Sequence, residues 1–465
     1  MYTKSQPKNK PGFRELLPVF EELLPVQLLR EWIQVSGNRF YERLFTPLIL
    51  VWCFLYQRLN EDHTCDAAVS HVASGSVDHW DTRHKKPASQ RIQSESTAAY
   101  SKGRKRLPLS VLQEALRHTG QVIGQWMGAD GLWFGHPVGL LDGTTILLRP
   151  EPELVAHYGR HHSRGKETYW VVMRVVATFC LGTGALLGVA EGALQISEQA
   201  LAAMIFASGS VYVGDRNFGV FSIVQAARHH NAWVVLRMTK QRARALAGRP
   251  MQSGEDLRVS WQHSAKDQLH PNMSANPIEG RLIFVRLERT GFRPVEVVLF
   301  TTLLDAERYT VEELVKLYGL RWHVEVNLRY VKSTLEMGLL TGKSVDIVRK
   351  ELHAGLLAYN VIRGYMVQAA RKAALPPLTL SFTRCWRRVR EMLLTLRPTD
   401  SAKHIARILE RLLVRLARCI LPKRPRFRIE PRAVHRRPDV YPNLKRSRVE
   451  ARQWLLASLQ KPSKS

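Results

Sequence analysis

The chain has 465 residues, 45% of them hydrophobic, with 69 lysines and arginines against 40 aspartates and glutamates. That length can bury a large core and predicts more than one domain. A formal net charge of +29 excludes a charge-balanced surface and points to a polyanionic partner, nucleic acid first, because each phosphate neutralised by Lys or Arg releases condensed counterions.

Five cysteines, Cys53, Cys65, Cys180, Cys385 and Cys419, include no C-x-x-C pair. This argues against a zinc site or a disulfide framework and for a reducing cytoplasm. Residues 1–12 are polar and lack an apolar signal core, and the longest mainly apolar run, 45–56, is too short to span a bilayer. A soluble intracellular protein with no membrane partner is expected.

In chain order, residues 14–60 carry apolar residues at helical spacing and open an all-helical region. Within 96–112, Lys102, Arg104, Lys105 and Arg106 crowd ahead of Leu107-Pro108. They read as a basic loop before a new helix, with direct DNA contact equally open. From Gly135 the texture changes to strands. Residues 138–142 form a short apolar run ending on Asp142, 169–180 a long β-branched and aromatic strand, and 185–194 a third strand. Residues 197–208 have helical character with Ser197 as N-cap. Residues 210–215 are a buried strand ending on Asp215, 217–230 a helix, and 232–238 a fifth strand. Three strands, a helix, a strand, a helix and a strand is the order of a ribonuclease H-like sheet, in which carboxylates on the first and fourth strands reach one edge. Either aspartate alone reads as a turn former or helix cap.

Residues 240–244 read as a basic loop, followed by a polar segment through Glu279 and two strands at 281–288 and 295–302. Trp261, next to Gln262 and His263, is open to base stacking, although ordinary packing is the commoner use of such a residue. A helix is expected from Val311 through Met337, interrupted only by Gly319. At about 100° per residue, Tyr318, Arg321, Glu325, Arg329 and Lys332 fall within roughly 80° of one another. Leu317, Leu320, Val324, Leu328, Val331 and Leu335 form a neighbouring apolar face. The stripe reads either as a solvated face of i,i+4 pairs or as a metal-ligating carboxylate bracketed by phosphate-holding cations. Beyond it, 352–370 read as a helix, Pro376-Pro377 as a break, 379–420 as basic helix, and 421–450 as an extended Pro- and Arg-rich arm suited to DNA.

Tyr318-x2-Arg321-x3-Glu325-x6-Lys332, together with Asp142-Gly-Thr-Thr and Gly214-Asp-Arg-Asn-Phe-Gly, resembles the DDE transposases of the insertion sequence four family, which includes the transposon five transposase. The resemblance spans roughly residues 40–370. It implies an α/β fold: a ribonuclease H-like core interrupted by a β-rich insertion, with helical amino- and carboxyl-terminal regions. The implied divisions are a DNA-end-binding domain at 1–130, the core at 131–239 and 306–375, the insertion at 240–305, and a basic carboxyl-terminal region at 376–465.

The resemblance further implies cut-and-paste transposition by phosphodiester cleavage and strand transfer. Hard carboxylate oxygens suit Mg²⁺, and two ions can activate the attacking oxygen and stabilise the leaving one. Asp142 would bridge the two Mg²⁺ ions, with Asp215 on one and Glu325 on the other, and Mn²⁺ able to substitute. Tyr318, Arg321, Arg329 and Lys332 would hold DNA, and Arg216 and Arg237 would add contacts or orient the carboxylates. The implied partners are transposon-end inverted repeats and target DNA, with a homodimer in the synaptic complex, in a cytoplasmic, nucleoid-associated setting. One departure concerns a hairpin intermediate: the Trp of some relatives is missing near Val297. A nuclease or resolvase that cuts without joining, and a non-catalytic DNA-binding relative, are the rival classes.

Overall fold

The computed structural model describes residues 22–37, 44–78, 86–163, 166–265, 267, 269–270, 272–288, 295–395, 402–422 and 448–459. The amino-terminal part is helical, with α1 (Val26–Val35), α2 (Pro47–Leu59), α3 (Cys65–Ala73), α4 (Ala98–Arg106) and α5 (Leu109–Gln125). Pro47 fits the first turn of α2, where no backbone donor is needed, and Thr46 caps it by accepting from the Ile49 amide. Twelve of its 13 residues are buried, so α2 is a core helix rather than a surface one. The run read as a basic loop is the last part of α4. Helical spacing turns Arg104 inward, while Lys105 and Arg106 stay exposed.

β1 (Val138–Leu148) continues six residues beyond Asp142, because Gly143 through Leu148 pair with Val176 through Val171 of a later strand. Two elements absent from the sequence reading follow, α6 (Pro152–Tyr158) and β2 (Arg160–Ser163), before β3 (Lys166–Cys180) and β4 (Leu186–Ala193). Ser197 does cap a helix by accepting from the Ala200 amide at 3.1 Å, but α7 (Glu198–Ala202) is a single short turn. β5 (Val211–Gly214), α8 (Phe221–His229) and β6 (Trp233–Arg237) come next. In space β3 lies antiparallel between β4 and β1, β1 runs parallel to β5, and β5 runs parallel to β6. The fold is therefore mixed α/β around one large mixed sheet.

The segment after β6 departs from its sequence reading. The basic stretch is α9 (Lys240–Ala247), capped by Thr239, and the polar segment contains β7 (Asp256–Trp261). With β8 (Ile278–Leu287) and β9 (Val295–Thr301) it extends the main sheet, since β9 pairs antiparallel with β6. Trp261 is 4% exposed and meets Phe300 and Phe221 edge-on, with centroids 4.8 and 6.0 Å away. Its side chain belongs to the core, so the base-stacking alternative does not hold.

The single helix expected from Val311 is broken into α10 (Val311–Gly319), α11 (Trp322–Arg329) and a π-helical turn at Tyr330–Thr334. β10 (Leu339–Leu340), α12 (Val345–Lys372), α13 (Phe382–Thr395) and α14 (Ala402–Ala417) follow. α12 has 28 residues and packs against α2, α5, α13 and α14. Its Asn360 substitutes for a strand: the Leu186 amide donates to Oδ1 at 2.8 Å, while Nδ2 donates to the Leu186 carbonyl at 3.0 Å and to Thr119 at 3.2 Å. A fully buried amide thereby satisfies the Leu186 backbone at the start of β4, groups that would otherwise be costly to bury.

Alternate residues of the strands serve two cores. Leu140, Val175, Val211 and Val213 face the core shared with α2, α5, α11 and α12, whereas Leu141, Val176 and Tyr212 face the one shared with α7 and α8. The arm expected at 421–450 lies mostly outside the described residues. Arg448–Leu459 is a helix. Among the described residues, no helix is long and apolar enough to cross a membrane.

Candidate active site

β1 and β5 pair in parallel at Val138↔Val211, Gly139↔Tyr212 and Leu140↔Val213. Carrying that register two residues further sets Asp142 opposite Asp215, both with the parity of Leu140 and Val213 and hence on the α11 face of the sheet. Asp142 Oδ1 accepts from the Gly143 amide at 2.8 Å, and Asp215 Oδ1 accepts from the Asn217 amide at 2.8 Å.

Glu325 arrives on α11. After Thr310 caps α10, the chain tightens at its end: the Leu320, Arg321, His323 and Val324 amides each donate to the carbonyl three residues back. This 3₁₀-type stretch, then α-helix, then π turn, shifts the phase of a uniform helix. It leaves Leu320 exposed instead of docked, while Val324, Leu328, Val331 and Leu335 remain buried. Behind α11, buried Arg363 of α12 donates to Asn327 Oδ1 at 2.7 Å and lies over the rings of Tyr330, Tyr359 and Phe382.

Arg321 bridges two of the carboxylates. Its guanidinium donates to Glu325 Oε1 at 2.5 Å and stands 3.6 Å from Asp142 Oδ2. Burial pushes the Asp142 carboxyl up to about 6; the Gly143 amide and Arg321 pull it down, and the negative charges of Asp215 and Glu325 push it up. Asp142, Asp215 and Glu325 thus share one electrostatic neighbourhood. Among the described residues, however, no three His, Cys, Asp or Glu side chains stand gathered to hold a metal ion. The donor set is all oxygen and suits a hard divalent cation, while the guanidinium supplies the counter-charge between Asp142 and Glu325 that such a cation would supply.

A pH dependence follows with a definite sign. The Asp142 pKa is raised above its ordinary 3.8, so its ionisation weakens the native state as pH rises from about 4 through 6. Asp142→Asn is expected to stabilise the DNA-free protein by about 1–3 kcal/mol above pH 6. The gain should vanish below pH 4, as read from urea midpoints at a series of pH values. A constant gain at every pH would contradict it.

Tyr318 is half-buried close enough to influence Arg321. Arg216 and Arg329 are exposed, and Arg237 and Lys332 are half-buried. Among the described residues no hydrogen bond or ion pair joins these four cations to the carboxylates. The sequence reading missed Trp322, 58% exposed between Arg321 and His323, and the support from Arg363; the first stands within the quoted motif, but the second lies in a helix with no motif of its own.

Residues 133–361 match the family described as Transposase DDE domain. The transposase InsG for insertion sequence element IS4 of Escherichia coli (strain K12) is 25% identical over 449 residues, 93% of this chain and 95% of that protein. The chain belongs to the DDE transposases of the insertion sequence four family. The matched span of this transposase contains Asp142, Asp215 and Glu325 together. A cryo-EM structure of the piggyBac transposase synaptic complex with hairpin DNA aligns over 90% of this chain and 88% of that one, at TM-score 0.40 and 12% identity, a likeness too loose for comparing sites.

Proposed function

We propose that the transposase cuts and rejoins DNA at the Asp142–Asp215–Glu325 cluster, moving its element by cut-and-paste transposition. The observation that carries this reading is the convergence of three carboxylates: the β1–β5 register sets Asp142 opposite Asp215, and Arg321 joins Asp142 to Glu325 of α11. These residues would hold two divalent cations, Mg²⁺ first, with Mn²⁺ able to substitute. When bound, the ions supply charge stabilisation at the attacking and leaving oxygens of an in-line displacement. The strand order β4-β3-β1-β5-β6, with the first three antiparallel and the last two parallel to β1, supports a ribonuclease H-like core.

Arg321 has a second role in this reading. While it balances Asp142 and Glu325 it keeps two like charges tolerable in a half-buried site; once released it is free to hold a phosphate bidentately. Tyr318, Arg329, Lys332, Arg216 and Arg237 would line the DNA path. Trp322 offers an exposed ring to an unstacked base, whereas Val297, Val298 and Leu299, the neighbourhood in which some relatives carry a Trp, are buried. Residues 1–130 would read the transposon ends, 240–305 form the insertion, and 376–465 add basic surface. On α14, Lys403, Arg407, Arg411 and Arg415 are exposed at four-residue steps, roughly 6 Å apart along the axis. A homodimer would bring two ends together on the nucleoid, in the cytoplasm.

The test supplies Mg²⁺, a fragment of the inverted repeat flanking the gene with a free 3′-hydroxyl, and a supercoiled plasmid. Plasmid joined to the fragment is expected. Nicked or cut DNA with no joined product would assign the protein to nucleases or resolvases instead. Lys332→Ala should weaken binding and lower the slope of log affinity against log salt by about one. An unchanged slope would remove Lys332 from the phosphate path.

A further inference from the structure

We propose that Glu198, outside the Asp142–Asp215–Glu325 set, is a positioning residue of the catalytic centre that ties the strand carrying Asp142 to the turn carrying Asp215. This rests on the reading above, because it concerns how those two aspartates are held.

The backbone ladder between β1 and β5 ends at Leu140↔Val213, so no strand pairing fixes Asp142 against Asp215 beyond it. Glu198 occupies the other face of the sheet at this point. Gly143 has the parity of Leu141 and faces the core containing Leu201 and Ala202 of α7. A Cβ on residue 143 would lie 2.5 Å from both the carboxylate carbon and Oε1 of Glu198. Glycine is therefore what allows the carboxylate to rest against the β1 backbone, whose next amide toward Asp142, that of Gly143, donates to Asp142 Oδ1.

The same carboxylate reaches the other aspartate. Asn217 Nδ2 donates to Glu198 Oε2, and the Asn217 amide donates to Asp215 Oδ1 at 2.8 Å. Gln199 completes the grip, its Nε2 donating to the Asn217 carbonyl at 2.6 Å and to Oδ1 at 3.0 Å. One side chain thus sets the Gly143 backbone on one side and the Asn217 turn on the other. An acid at the first position of a helix ordinarily serves that helix terminus; α7 is too short for that to be the main use, and the contacts point at the two motifs instead. Acting from the opposite face, Glu198 positions the aspartates without touching substrate.

The experiment measures Mn²⁺ binding to the full chain from the electron paramagnetic resonance of free Mn²⁺, alongside cleavage of end DNA, for Glu198→Ala, Glu198→Gln, Gly143→Ala and the Glu198→Ala/Gly143→Ala double variant. Loss of an outer partner of a metal ligand typically weakens affinity by about tenfold or more. Glu198→Ala and Gly143→Ala should each show about a tenfold loss. Glu198→Gln, which keeps an acceptor for Asn217, should stay within about threefold, and the double variant should be no worse than either single one. Wild-type Mn²⁺ affinity in both single Ala variants, additive losses in the double variant, or a Gln variant as poor as Ala would overturn the proposal. Gly143→Ala keeps the test alive if Glu198→Ala does not fold. Asp142→Ala and Asp215→Ala serve as references: if they retain Mn²⁺ binding, the ligand assignment fails, and if they lose it while Glu198→Ala does not, only the positioning role fails.

Discussion

Asp142→Ala, Asp215→Ala and Glu325→Ala are each expected to abolish DNA cleavage while leaving end binding at or above its original strength. The charges of Asp215 and Glu325 both act on Asp142, and removing a group that acts on developing charge costs on the order of 10²–10³ in rate. Binding is different in sign. It draws on 69 lysines and arginines, and deleting a carboxylate near the DNA path removes repulsion from phosphate. Gel-shift and strand-cleavage assays on the same preparations separate the two effects. Full cleavage by any one of the variants would remove that residue from the reaction.

The second large effect lies away from the cluster, at Glu351 of α12. Only 4% of this residue is exposed. Its Oε1 accepts from Arg104 at 2.6 Å, and its Oε2 stands 3.4 Å from the Arg58 guanidinium and accepts from the Thr341 and Gly342 amides at 3.2 and 3.1 Å. Glu351→Ala would strand two buried cations and two amides, a loss of about 3–5 kcal/mol. Against a total of roughly 5–15 kcal/mol for a folded protein, this is a severe destabilisation, visible as a lower urea midpoint. Glu351→Gln, which keeps acceptor capacity but not charge, should fall between. A loss below about 1 kcal/mol in the Ala variant would mean that water or a neighbouring group takes over those partners.

The strands nearest the carboxylates are legible at 169–180, 210–215 and 232–238 because they are apolar, β-branched and aromatic runs, the second of them bounded by Gly209 and Asp215. β7 is not. Its residues alternate between solvent and partial burial until Trp261, so it lacks an apolar run. The basic end of α4 and the start of α9 read as loops because Lys and Arg dominate them, although α9 carries three alanines and a Thr239 cap. The break at Gly319–Arg321 escaped because every residue there keeps helical angles, and only the hydrogen-bond spacing changes. At the site, Asp142, Asp215 and Glu325 were found by motif, but the Arg321 bridge to Asp142 joins side chains far apart in the chain. Glu198 was invisible for the same reason, since the sequence displays it only as the residue after a helix cap.

The buried pairing of Arg104 with Glu351 spans 247 positions of sequence, and α2 and α5 both lean on α12. During synthesis, then, the first hundred or so residues emerge with their apolar surfaces uncovered and must wait for the last quarter of the polypeptide to leave the ribosome. Contacts of such long range form slowly and expose intermediates to aggregation. A prematurely terminated product ending before residue 345 would carry the amino-terminal helices without the helix they pack against.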